Sequence, residues 1–60
     1  MYTIRIVEKK GMKPEELCSF EDVADAINTF DDVCKDYFCV ALVRNNRNVI
    51  MQQINNELAD

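Results

Sequence analysis

Apolar and polar positions alternate from residue 2 to residue 8. Tyr2, Ile4 and Ile6 point one way and Thr3, Arg5 and Val7 the other, which predicts a half-buried strand. Lys9, Lys10, Gly11, Met12, Lys13 and Pro14 break the pattern with the chain's single glycine and single proline, and predict a loop. Glu15, Glu16 and Leu17 suit one helical turn after Pro14. The period then changes. Phe20, Val23, Ile27, Phe30, Cys34 and Tyr37 recur at steps of three or four, flanked by Ala24, Ala26 and Val33. That spacing places them on one face of a helix predicted over residues 20–35, opened by Ser19 with Asp22 as a variant capping box.

Residues 38–43, Phe-Cys-Val-Ala-Leu-Val, are apolar on both faces and predict a central strand. Asn45, Asn46, Arg47 and Asn48 supply a turn, because asparagine tolerates a left-handed backbone. Residues 49–54, with Gln52 and Gln53, complete a hairpin as an edge strand. The tail, residues 55–60, reads as frayed or as a single helical turn.

The expected fold class is α+β. Its order is β-α-β-β, a small three-stranded sheet with a right-handed crossover and one amphipathic helix packed on one face. A single helix covers a single face. The opposite face of the central strand carries Cys39, Ala41 and Val43, small apolar residues that sit badly in water as a continuous patch. A homodimer interface formed sheet on sheet, or a partner protein, covers them in this reading. The alternative is shielding by flanking side chains and the tail.

Sixty residues make one domain, 1–60, with a thin core. Folds of this size rely on a disulfide framework, a metal or self-association. Cys18, Cys34 and Cys39 are odd in number and form no C-x-x-C pair, and histidine is absent. Structural zinc and a secreted disulfide scaffold are therefore disfavoured, and self-association is the staple left. No cofactor or metal is implied. No stretch approaches the ~20 apolar residues of a membrane span, and the first residues alternate where a secretory leader would be basic, then apolar. The expected location is the cytoplasm of the producer or host cell, without membrane association.

The net charge of −4 conceals a division. Glu15, Glu16, Glu21, Asp22, Asp25, Asp31, Asp32 and Asp36 stand against Lys35 alone, a net −7 between residues 15 and 36. The remainder, with Arg5, Lys9, Lys10, Lys13, Arg44 and Arg47 against Glu8, Glu57 and Asp60, carries +3. On a helical wheel Glu21, Asp25, Asp32 and Asp36 form a carboxylate column about 22 Å long, turned away from the apolar stripe. Acids in a first turn are explained by the helix dipole. Acids in a last turn oppose it, each at a cost of a few tenths of a kcal/mol by order of magnitude. A solvated face is the simpler account of the column, and a surface presented to a basic partner is the functional one. Asp31, at the margin of the apolar arc, is expected to pair with Arg5 or Arg44 and tie helix to sheet.

Catalytic chemistry is poorly supplied. The commonest general base is missing, Ser19 is assigned to the helix cap, and Cys34 and Cys39 read as packing. Cys18 lies just before the predicted helix, where a thiolate is stabilised, but it has no neighbouring base in sequence. The leading expectation is a non-enzymatic interaction protein. It uses Glu21, Asp22, Asp25, Asp32 and Asp36 to bind the basic, often nucleic-acid-binding, surface of a partner protein. In size and charge it is similar to phage-encoded inhibitors that mimic nucleic acid, the anti-CRISPR and anti-restriction proteins, a likeness of general character without a shared motif. The alternatives are nucleic-acid binding through Lys9, Lys10, Lys13, Arg44 and Arg47, disfavoured by the net charge, and a homodimeric structural subunit.

Overall fold

The computed structural model describes residues 1–58. Its elements are β1 (Tyr2–Val7), β2 (Glu15–Phe20), α1 (Val23–Val33), β3 (Cys39–Arg44) and β4 (Asn48–Ile54), followed by a 3-10 turn, Asn56–Leu58. The fold is α+β, as expected. The sheet, however, has four strands in the order β2-β1-β3-β4, each antiparallel to its neighbours.

The added strand is β2, where a helical turn was expected. Once β1 forms, its free edge presents a row of backbone donors and acceptors that need partners. Tyr2 pairs with Phe20, Ile4 with Cys18 and Ile6 with Glu15, with a bulge that leaves Leu17 as the extra residue. Gly11 makes the return possible. Its φ of 92° lies in the left-handed region, and the Met12 N–H donates to the Lys9 carbonyl at 3.1 Å across the turn.

This strand also corrects the connectivity. The helix links β2 to β3, and β1 lies between them in the sheet. The expected parallel crossover from β1 to β3 is therefore replaced by an antiparallel pairing, Tyr2 with Arg44 through Val7 with Cys39. The β3–β4 hairpin forms as expected. Asn45 and Asn46 both take positive φ, 52° and 60°, the conformation that tight hairpin turns demand.

The helix is shorter than its apolar period suggests. Asp22, not Ser19, is the N-cap, its side chain accepting the Ala24 N–H at 2.8 Å. Ser19 belongs to β2 and donates its hydroxyl to Glu16 at 3.1 Å. At the other end the Cys34 N–H closes on the Phe30 carbonyl. The core lies between α1 and the sheet: Ile4, Ile6, Val40 and Leu42 meet Ala26 and Phe30, with Cys18, Phe20, Ile27, Val33, Cys34, Tyr37 and Met51 packed around them. The helix packs over β1, β2 and β3, and β4 lies outside its footprint.

Candidate functional site

The helix and its flanks carry the candidate acids. Asp25 and Asp32 are both in α1, both exposed. Seven residues apart, they fall within about 20° of one line along the helix, separated by about 10 Å. Glu21, Asp22 and Asp36 are exposed too, but they lie outside the helix. Glu21 and Asp22 precede it, and Asp36 follows in a turn in which its N–H donates to the Val33 carbonyl at 2.9 Å. A helical wheel therefore describes only the middle of the column. The predicted 22 Å array becomes a short helical pair with an acidic group before and after it.

Asp22 already has a structural task as the cap. The other four have no such assignment. Helix α1 contains no basic residue, and its last turn holds Asp31 and Asp32 where a cation would complement the dipole. The expected link from Asp31 to the sheet does not form. Arg5 pairs laterally with Ala41 and Glu16 and projects on the face away from the helix, and Arg44 sits at the opposite end of the sheet. Asp31 is exposed, and its carbonyl receives the Cys34 thiol at 3.5 Å.

The acidic segment comprises β2, the outer strand that carries Glu15 and Glu16, and the helix layer, which packs over β1, β2 and β3. The basic groups divide. Lys9, Lys10 and Lys13 are in the β1–β2 loop, at the Val7 end of β1, whereas Arg44 and Arg47 flank the β3–β4 turn at the Tyr2 end. The antiparallel register separates them by the length of β1, roughly 17 Å at about 3.4 Å per residue.

Cys39, Ala41 and Val43 alternate with Val40 and Leu42 and occupy the sheet face opposite the helix. Val43 is buried, at 8% exposure, while Cys39 and Ala41 are half-buried. Polar groups interleave with them. Thr3 and Ser19 share a hydroxyl contact of 3.1 Å, and Gln52 reaches the Cys39 sulfur at 3.5 Å. The more exposed apolar side chains of this region are on β4: Val49 at 59%, Ile50 at 44% and Ile54 at 51%. Sequence reading missed these, because β4 was judged by its glutamines.

Among the described residues no three His, Cys, Asp or Glu side chains are grouped so as to hold a metal ion. Burial pushes the Cys18 thiol above its ordinary pKa. Cys18 packs against the core from β2 and does not sit at a helix start, where a thiolate would be stabilised. No helix is long and apolar enough to cross a membrane among the described residues. The chain was compared with protein-family models, curated proteins and solved structures, and it matched none of them.

Proposed function

We propose that this is a non-enzymatic interaction protein that presents Glu21, Asp25, Asp32 and Asp36, helped by Asp22, to the basic, nucleic-acid-binding surface of a partner protein. In its sharpest form it is an inhibitor of the phage-encoded, nucleic-acid-mimicking kind. The observation that carries this reading is the pair Asp25 and Asp32, exposed on an eleven-residue helix without a single cation. Asp31 and Asp32 stand against the helix dipole, an arrangement that costs stability. A solvated face does not call for that cost, since lysines at the same positions are as soluble and more stabilising. A field of this kind steers a cationic partner and weakens as salt rises. Direct nucleic-acid binding is the weaker reading, because the two basic groups lie at opposite ends of the sheet.

The test is capture from a lysate of the producing cell or its host at low and high salt. Wild type is compared with the variant Glu21→Gln, Asp25→Asn, Asp32→Asn and Asp36→Asn. A basic protein retained only by wild type, released by salt and displaced by added DNA or RNA supports the proposal. A partner held equally by both forms rejects it.

A further inference from the structure

We propose that β4 is a self-pairing edge. Two copies of the chain join β4 to β4 antiparallel about a two-fold axis at Gln52, fusing two four-stranded sheets into one continuous sheet. This surface lies across the sheet from the acidic side, so the inference is independent of the proposed function.

The inference starts from what is missing on this strand. An edge strand exposes unpaired backbone donors and acceptors, and proteins usually blunt such edges with charge, proline, bulges or cover. Strand β4 reads Asn-Val-Ile-Met-Gln-Gln-Ile over seven residues, without a charge or a proline. It lies outside the footprint of the helix. Nearly a third of the chain is charged, and the other edge, β2, begins with Glu15 and Glu16. Only the β4 edge is left without charge among the described residues. Of those devices β4 carries only a bulge, at Ile50, and the strand is regular from Met51 onward.

Self-complementarity names the occupant. An axis at Gln52 sets each Gln52 opposite its copy, where two side-chain amides can exchange hydrogen bonds. It brings Ile54 alongside the partner's bulged Ile50, twice, and these are two of the exposed apolar side chains. Cross-strand apolar pairs of this kind stabilise a sheet. The same axis brings the turn before β4, with exposed Arg47, toward the 3-10 turn that follows the partner's β4, with exposed Glu57. Charge is thus absent along the pairing strand and complementary at both its ends. The two-fold axis stands perpendicular to the sheet, so both helices lie on the same face of the dimer.

The experiment is sedimentation equilibrium of the full chain over a range of micromolar concentrations, with circular dichroism confirming that each variant is folded. Wild type is expected to approach twice the chain mass of 7.0 kDa. Gln52→Lys, which opposes two ammonium groups at the axis, is expected to be monomeric. Arg47→Glu is expected to weaken association about tenfold at low salt, since it replaces attraction by repulsion at both ends of the strand. The reversal Arg47→Glu with Glu57→Arg is expected to restore it. Restoration keeps the test decisive even if Gln52→Lys fails to fold. A monomeric wild type overturns the proposal. So does a dimer indifferent to Arg47→Glu, including one that dissociates only on Ala41→Lys, which would place the contact on the sheet face.

Discussion

The side-chain amide of Asn55 donates to the carbonyl of Cys34 at 2.6 Å, joining the end of β4 to the C-terminus of the helix 21 residues earlier. The same amide nitrogen reaches the Tyr37 carbonyl at 2.8 Å, and the Asn55 backbone N–H donates to Phe38 at 2.7 Å. One residue therefore satisfies the C-cap carbonyl of the helix and two carbonyls of the segment that leads into β3. Removing the side chain in Asn55→Ala strands two partly buried acceptors, at a cost of about 1–3 kcal/mol. In a domain of this size each kcal/mol is about 4–8 °C in melting temperature. Thermal denaturation is expected to show a fall of that order, and Asn55→Asp, which keeps the shape but loses the donors, is expected to fare no better.

The assignment of the helix cap gives a paired expectation. Asp22→Ala removes the acceptor for the Ala24 N–H and is expected to cost about 1 kcal/mol, whereas Asp22→Asn keeps most of it. Ser19→Ala leaves the cap intact, so amide exchange in the first helical turn is expected to accelerate in Asp22→Ala and stay unchanged in Ser19→Ala. Because Asp22→Asn caps without charge, it also separates the capping role of this residue from any part in partner binding.

Cys18 supplies a dependence on pH. Burial raises its thiol pKa above the unfolded value, so the folded state holds the proton more tightly than the unfolded chain. The sign follows: this contribution to stability is fully present below the unfolded pKa and is lost as pH rises from about 9 toward the folded pKa. Denaturant titrations above that pH are expected to show falling stability for wild type and a shallower fall for Cys18→Ala. Iodoacetamide is expected to modify Cys18 in the native protein more slowly than in the unfolded chain.

Much of the fold was legible in local pattern. The alternation of Tyr2, Ile4 and Ile6, the apolar run before Arg44 and the asparagine turn all became the elements they suggested. Strand β2 was not legible, because Glu-Glu-Leu after a proline reads as a helix start and only Cys18 and Phe20 show its alternation. What makes it a strand is nonlocal, the open edge of β1. That one pairing moved Phe20 from helix to sheet, shifted the cap from Ser19 to Asp22 and reversed the direction of β3 relative to β1. The acidic residues were found by charge counting, but their geometry depended on helix ends that periodicity overextended. The exposed apolar edge at β4 was hidden because Gln52 and Gln53 look innocuous, while the signal lay in the lack of any charge beside Val49, Ile50 and Ile54.

The acidic helix implies a trade between stability and binding. Asp32 lies in the last turn of α1, which has no cation. Asp32→Lys is expected to stabilise the fold by about 0.3–1 kcal/mol through the helix dipole, read as a rise in melting temperature, while weakening partner binding. A variant that gains both stability and affinity contradicts the role given to this face.

The most direct measurement is the salt dependence of affinity for the captured partner, taken by calorimetry for wild type and for the variant Glu21→Gln, Asp25→Asn, Asp32→Asn and Asp36→Asn. The account predicts that wild-type affinity falls steeply as salt rises, and that the variant binds weakly with a nearly flat salt response. Equal affinity and equal salt slope for the two proteins would contradict it.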